Sequence, residues 1–536
     1  MAAAKSWSLV PARCFLRTCR RTLRRSKLAD STGADLTGAA LLARTLILRR
    51  LLRRHVLADD EKCVGLLLPP SATAVVANAA LAIDRRVAVN LNYTVSSPVM
   101  NSCIAQAGIR HVLTSRKVME KLHLQLDAEP VYLEDFKDRV TAADKLAAAA
   151  QTWLLPVGVL ERLLGLARVG PQDLLTVIFT SGSTGEPKGV MLSGGNVAAD
   201  VEGFNSVLRL DRHDVLIGIL PFFHSFGYTV TMWTALTLDP KAAYHFSPLE
   251  SRQVGALCRR QGGTILVATP TFLRSYLRRC EREDFATLEV VVAGAEKLPG
   301  ELAEAFEQKF GVRPVEGYGA TELSPAIACN VPPSRAVVGQ KQGLKEGTIG
   351  QPFPGISVKT VDLESGKDLG VDEAGMLWVK GPVVMQGYLG QPEKTAEVIR
   401  DGWYVTGDVA TIDTEGFIRI TGRQSRFSKI GGEMVPHIRI EETLMQVLHL
   451  KGDELKLVVT AVPDSKKGER LIVLHTGMTE PPEQVCRLLG AAGLPPLWIP
   501  SPDSFRRVED LPLLGSGKLD LRRVKQMADE AFTTEK

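Results

Sequence analysis

The run Thr180-Ser181-Gly182-Ser183-Thr184-Gly185-Glu186-Pro187-Lys188-Gly189 holds the residue types that bind a polyphosphate. Glycines let backbone N–H groups converge on an anion, because no Cβ blocks close approach. The hydroxyls of Thr180, Ser181, Ser183 and Thr184 add donors, and Lys188 adds a positive charge. The spacing is not that of a Gly-x4-Gly-Lys-Ser/Thr loop, since Gly182 and Gly185 stand too close and Gly189 follows the lysine. A flexible linker of similar composition would need neither the apolar run Leu174 to Phe179 before it nor the Pro-Lys-Gly exit.

Other chemistry-bearing residues recur downstream at the ends of apolar runs. Pro221-Phe222-Phe223-His224-Ser225-Phe226-Gly227 puts a histidine among aromatics. Such a histidine is commonly a packed core residue, but a strand end is where open α/β sheets bind ligands. Glu289-Val-Val-Val-Ala-Gly294-Ala295-Glu296 runs from a strand into a glycine turn. Glu316-Gly317-Tyr318-Gly319-Ala320-Thr321-Glu322 offers a ring to stack on, a hydroxyl for a phosphate, and a carboxylate oxygen hard enough for Mg²⁺. Asp408 in Gly402-Trp-Tyr-Val-Thr-Gly-Asp suits two vicinal hydroxyls, because a carboxylate accepts both protons. Arg423 follows, and Lys518 sits in Leu511-Pro-Leu-Leu-Gly-Ser-Gly-Lys.

Taken in this order, the six segments resemble the adenylate-forming superfamily of acyl-CoA synthetases, luciferases and peptide-synthetase adenylation domains, over about residues 64–520. The resemblance implies a carboxylate activated with ATP as an acyl-adenylate, then passed to a thiol. It assigns the nucleotide phosphates to residues 180–185 and Lys188, and adenine to Gly294, Ala295, Glu296, Gly317, Tyr318 and Gly319. Asp408 and Arg423 take the ribose. Thr321 meets the α-phosphate, Glu322 and Thr184 hold Mg²⁺, and His224 lies near the acyl and nucleotide sites. Lys518 becomes the catalytic lysine, and Arg426 the hinge pivot. Arg423-Gln-Ser-Arg-Phe, with Leu-Pro-Leu-Leu-Gly-Ser-Gly-Lys, is similar to the acyl–acyl-carrier-protein synthetase half of bacterial bifunctional 2-acylglycerophosphoethanolamine acyltransferases. That branch implies a long-chain fatty acid and a phosphopantetheine acceptor, carrier protein ahead of CoA, with a separate lysophospholipid acyltransferase as partner. Two features depart from it: no acyltransferase domain surrounds His55 and Asp60, and Ser425 stands where the branch often has lysine. An ordinary long-chain fatty acid–CoA ligase, and a non-catalytic acyl-binding protein on the same fold, are the competing readings.

These segments need positioning by strands that alternate with helices. Val64 to Leu68, Val87 to Asn92, His111 to Ser115 and Asp214 to Leu220 read as strands, with a helix over 72–83, so parallel sheets covered on both faces are expected. The fold class is α/β: a large domain of stacked, mostly parallel sheets with a small β-subdomain, then a small mobile α+β lid. The expected boundaries are a basic segment 1–57, an AMP-binding domain 58–423 and a lid 424–536.

Charge is uneven. Residues 1–57 carry thirteen Lys/Arg against two acids, so the overall +5 hides a basic head on a mildly acidic body. Arg13, Arg17, Arg20 and Arg24 recur at helical spacing, and Leu41 to Leu57 reads as a second basic helix. A solvated face, a patch for anionic lipid or an acidic partner, and an Arg-rich leader all fit. Nucleic acid does not, because aromatics are sparse there and no recognition motif accompanies the charge. No run reaches eighteen apolar residues. The nearest, Leu146 to Leu160, is expected to form a buried helix pair, although Trp153 and its following leucines suit an interface. Eight scattered cysteines without a C-x-x-C pair argue for reduced thiols, and hence a cytoplasmic protein, peripheral on a membrane at most.

Overall fold

The computed structural model describes residues 10–180, 186–336, 343–423, 426–430, 433–450, 457–464, 467–513 and 519–532. The chain divides into two compact units. The first is Met1–Val358, Trp378–Thr406 and Asp413–Arg419; the second is Lys359–Leu377, Gly407–Ile412 and Ile420–Lys536.

The first unit holds two large sheets. A nine-stranded sheet runs in the order Gln351–Pro352, Ala326–Cys329, Val315–Gly319, Val290–Ala293, Ile265–Ala268, Val215–Gly218, Lys241–Tyr244, Ser26–Asp30, Asp35–Thr37. Its central neighbours from Val315–Gly319 to Ser26–Asp30 are parallel, and its edges are antiparallel. A seven-stranded sheet orders Gly387–Tyr388, Lys188–Ser193, Leu174–Thr180, Val87–Asn90, Cys63–Leu66, His111–Thr114, Glu129–Tyr132. The interior strands are near-continuous apolar runs, Val290–Ala293 and Ile265–Ala268 being buried at every position. Parallel strands covered on both faces require that pattern.

The alanine-rich helix Ala72–Ile83 starts at Ser71, whose side chain accepts from the Ala74 N–H, and its small side chains let it be buried along almost its whole length. The basic head is part of this unit. The helices Pro11–Arg21 and Gly38–His55 flank the strand Ser26–Asp30, which pairs in parallel with Lys241–Tyr244. Phe15, Leu16, Leu28, Leu41 and Leu42 are buried. Arg13 and Arg17 close on the buried Glu161 at 2.9 and 2.8 Å, and Arg54 on the buried Asp144 at 2.6 Å.

One expectation fails at Leu146 to Leu160. The helices Ala142–Trp153 and Val157–Leu163 form, but Leu146, Trp153, Leu154 and Val159 are exposed. Asp144 and Glu161 share the inner face with the buried Ala148 and Leu160, held there by arginines of the basic head.

The second unit is α+β. Leu457–Asp464 pairs antiparallel with Gly468–His475, which pairs in parallel with Phe505–Arg507. Helices His437–Val447 and Pro482–Ala491 pack on one cluster of buried residues, including Ile440, Leu444, Val485 and Leu489. Leu521–Phe532 packs on another through Val524 and Ala528.

Candidate active site

Three motif segments leave the C-terminal ends of parallel strands in the nine-stranded sheet: Pro221 to Gly227 after Val215–Gly218, Gly294 to Glu296 after Val290–Ala293, and Thr321-Glu322 after Val315–Gly319. Strands that run the same way deliver their C-terminal ends to one edge, the edge where open α/β sheets bind ligands. The structure then joins the segments by direct contacts. Ser225 Oγ donates to Thr321 Oγ1 at 3.3 Å. The Phe226 ring lies 3.0 Å from where a Cβ on Gly294 would stand, so the glycine allows the flat ring its approach. A Cβ on Gly319 would fall 1.8 Å from the Pro325 carbonyl oxygen, which no side chain permits.

The seven-stranded sheet supplies the other wall. Thr180 and Lys188 are register partners at the mouth of the hairpin Leu174–Thr180/Lys188–Ser193. Ser181, Gly182, Ser183, Thr184 and Gly185, the centre of the expected phosphate loop, lie outside the described residues. Lys188 Nζ sits 5.0 Å from the centre of the Tyr388 ring. The Tyr388 hydroxyl donates to Glu322 Oε1 at 2.9 Å. Burial, with the Glu322 carboxylate beside it, pushes the Tyr388 phenol far up, so it stays a donor. Lys188, Tyr388, Glu322 with its neighbour Thr321, Ser225, Phe226 and Gly294 therefore form one continuous line. The only signal of Tyr388 in the sequence is Gly387-Tyr388 after an apolar stretch; its pairing with Val190, which brings it beside Lys188, is a tertiary fact.

The remaining first-unit candidates have defined surroundings. His224 is exposed, its ring 4.5 Å from that of Phe223, which meets Tyr93 edge-on at 4.7 Å. Ala295 adopts a left-handed φ of 68°. Glu296 Oε2 accepts from Thr271 N–H and Oγ1 at 3.3 and 2.8 Å, which ties it to the start of helix Pro270–Arg279. Gly317 and Tyr318 lie half-buried on Val315–Gly319. Burial pushes the carboxyl of the adjacent Glu316 up to about 7, against the pull of the Leu298 backbone N–H.

In the second unit, Arg423 Nε meets the buried Asp408 at 2.8 Å, so the two residues expected at a ribose lie side by side. Arg426 is buried and hydrogen-bonds Glu441. Burial pushes the Glu441 carboxyl up while the guanidinium pulls against it. The same Glu441 oxygen accepts the Val459 N–H at 2.6 Å. Lys518 lies outside the described residues; Leu513 and Leu519 bridge on either side of it.

Residues 15–389 match the model of the AMP-binding enzyme family. A long-chain-fatty-acid–CoA ligase of Bacillus subtilis (strain 168) is 32% identical over 382 residues, 69% of this chain and 64% of that protein. A second, from Yersinia pestis, is 30% identical over 376 residues, 68% of this chain and 63% of its own length. The match thus spans less than two thirds of these relatives. Among solved structures, ATP-bound MatB from Rhodopseudomonas palustris superposes with a TM-score of 0.78 at 24% identity, over 97% of this chain and 99% of that one. The o-succinylbenzoate CoA synthetase MenE from Bacillus subtilis, bound to its acyl-adenylate, gives 0.78 at 21% identity, over 97% and 98%. At these identities the two structures show the fold.

Proposed function

The chain belongs to the AMP-binding enzyme family, and from that premise we propose that it activates a long-chain fatty acid with ATP as an acyl-adenylate and passes the acyl group to a phosphopantetheine thiol. The observation that carries the reading is the line of contact from Lys188 through Tyr388 to Glu322 and on to Ser225 through Thr321. It gathers a cation, a carboxylate and hydroxyls, the set needed where a triphosphate is attacked by a carboxylate. Residues 180–185 with Lys188 cradle the β- and γ-phosphates, Thr321 donates to the α-phosphate, and Asp408 with Arg423 orients the ribose.

Among the described residues no group of three or more His, Cys, Asp or Glu could cage a metal ion. A single carboxylate at Glu322 fits Mg²⁺, which binds through one or two carboxylates plus phosphate oxygens. Glu322 and Thr184 would hold the ion, which neutralises phosphate charge. The Tyr388 hydroxyl fixes one Glu322 oxygen and leaves the other to turn toward the cation.

Residues 58–423 form the nucleotide-activating domain in this reading, and 424–536 a lid that swings about Arg426 and delivers Lys518. The lysine neutralises oxygens of the carboxylate and α-phosphate as the mixed anhydride forms, an effect worth ~3–4 kcal/mol, or roughly 10²–10³ in rate. Carrier protein is favoured as acceptor by the Arg423-Gln-Ser-Arg-Phe resemblance, CoA by the names of the fatty-acid ligases above. A separate lysophospholipid acyltransferase and peripheral contact with a membrane complete the reading.

The test is fatty-acid-dependent pyrophosphate exchange, followed by thioester formation with CoA and carrier protein side by side. Lys518→Ala should slow exchange by roughly 10²–10³ but spare transfer from supplied acyl-AMP. Absence of exchange with every chain length would leave only the acyl-binding alternative.

A further inference from the structure

The helices Ala142–Trp153 and Val157–Leu163 carry large apolar side chains on the face they turn to water. Their acids point inward: Asp144 and Glu161 are buried, held by Arg54 from one basic helix and by Arg13 and Arg17 from the other. Ala148 and Leu160 are buried beside them, but four large apolar side chains point out, with Leu146 72%, Trp153 46%, Leu154 77% and Leu163 63% exposed. Leu146, Ala149, Ala150, Trp153 and Leu154 follow i, i+3, i+4, i+7, i+8, so they form a single stripe along the helix.

Leu163, at the end of the hairpin, also lines a groove that continues from the stripe. One part of the groove, about 440 Å³, is walled by Arg49, Arg50, Arg53 and Arg54 of helix Gly38–His55. The adjoining part, about 390 Å³, adds Arg85, Arg162 and Arg168. The acids that meet these arginines are Asp59, Asp84 and Asp144, fewer than the arginines, so the groove is left net positive. An exposed apolar stripe bordered by guanidinium groups is the composition of a surface that lies in a lipid interface, where acyl boundary meets anionic headgroups.

We propose that this face, the stripe from Leu146 to Leu163 with the arginine groove behind it, docks on a bilayer containing anionic phospholipid. The apolar side chains enter the acyl boundary and the arginines take the phosphodiesters, each fork-shaped guanidinium pairing with two oxygens. Charge complementarity selects the occupant. A second copy of this chain would set arginine against arginine, and a purely apolar partner would leave the groove unpaired. The inference gives the peripheral-membrane part of the proposed function its surface and rests on that part alone; the chemistry of activation is independent of it.

The experiment is co-sedimentation of the full chain, without ATP, fatty acid or acceptor, with vesicles of phosphatidylcholine or of phosphatidylcholine mixed with phosphatidylglycerol. The expected result is binding roughly ten-fold or more tighter to the anionic vesicles, weakened by salt as charges are screened beyond about 8–10 Å. Trp153→Ser with Leu154→Ser, and separately Arg162→Glu with Arg168→Glu, should each abolish it. All four positions are exposed, so unchanged thermal unfolding and pyrophosphate exchange certify both variants as folded. Equal binding to both vesicle types, no binding to either, or binding that survives the apolar substitutions would overturn the proposal. So would self-association abolished by the same substitutions, or loss of vesicle binding on adding inorganic phosphate with the apolar pair irrelevant. None of these results would touch the activation reading, which pyrophosphate exchange tests in solution.

Discussion

At Tyr388 a single oxygen links the two walls of the site, so its removal is informative. Tyr388→Phe keeps the ring beside Lys188 but deletes the donor to Glu322. Hydrogen bonds to charged groups contribute about 1.5–3 kcal/mol. We expect roughly a ten-fold or greater loss in pyrophosphate exchange and a raised Mg²⁺ requirement, and Glu322→Gln should shift the Mg²⁺ titration further in the same direction. A Tyr388→Phe enzyme with wild-type Mg²⁺ dependence would make the contact merely structural. Gly319→Ala belongs to the same scale but reads out as stability. Its Cβ would lie 1.8 Å from a backbone oxygen, so backbone must move, at a cost of about 1–3 kcal/mol in a denaturant titration. A shift of a few tenths would mean that the turn relaxes freely.

Helix His437–Val447 joins Arg426, the proposed pivot, to the core of the second unit. Glu441 from this helix takes both the Arg426 guanidinium and the Val459 N–H. Truncating one partner of a buried ion pair typically costs about 3–5 kcal/mol, because the other charge is stranded. Arg426→Ala should therefore destabilise the second unit as well as disturb a pivot, and Arg426→Pro alone would confound the two. Adding Glu441→Gln to Arg426→Ala should restore much of the stability without restoring thioester transfer, if the pivot role is real. His437, at the start of the same helix, is buried against Ser428 Oγ at 2.7 Å. Burial, with Arg426 and Lys525 near, pushes its imidazole down to about 3. A base depressed in the folded state binds its proton first in the unfolded chain. Its share of stability is therefore full above about 6.5 and is lost as pH falls from there toward about 3. His437→Gln should flatten the acid side of a stability–pH curve over that window; an unaltered slope would reject the assignment.

Elements were legible where burial and period agreed. The expected helix over 72–83 is Ala72–Ile83, and Leu174 to Phe179 is the strand Leu174–Thr180. Ser26–Asp30 was not legible, because Ser-Lys-Leu-Ala-Asp has no apolar run and its Lys27 is buried only through backbone carbonyls of Leu238 and Pro240. The exposed apolar face of the helical hairpin was hidden for the same reason. The buried acids of these helices are held by ion pairs between residues ninety or more positions apart, such as Arg54 with Asp144 and Arg17 with Glu161. Within the site, motif residues could be read from their types, whereas Tyr388 and Ser225 acquire roles only through sheet pairing and a long-range contact.

On the scale of the whole molecule, the basic head is structural in the large unit. Phe15, Leu16, Cys19, Leu28 and Ala29 are each at most 1% exposed. Burial of each large apolar side chain contributes about 1.5–3 kcal/mol, against a total stability of about 5–15 kcal/mol for a typical domain. Deleting residues 10–30 should leave no folded protein and no pyrophosphate exchange. A soluble, active deletion product would show that the nine-stranded sheet closes without its strand Ser26–Asp30.

That strand also sets a clock. Leu28 pairs with Ala242, so the strand leaves the ribosome more than two hundred residues before the one it must join. At roughly 5–20 residues per second, synthesis holds the partner back for roughly 10–40 s. Through that interval the strand can pair only with its neighbour Asp35–Thr37, so the apolar side chains of Phe15, Leu16 and Leu28 wait on the far partner for full burial, and such transiently exposed apolar surface is prone to aggregation.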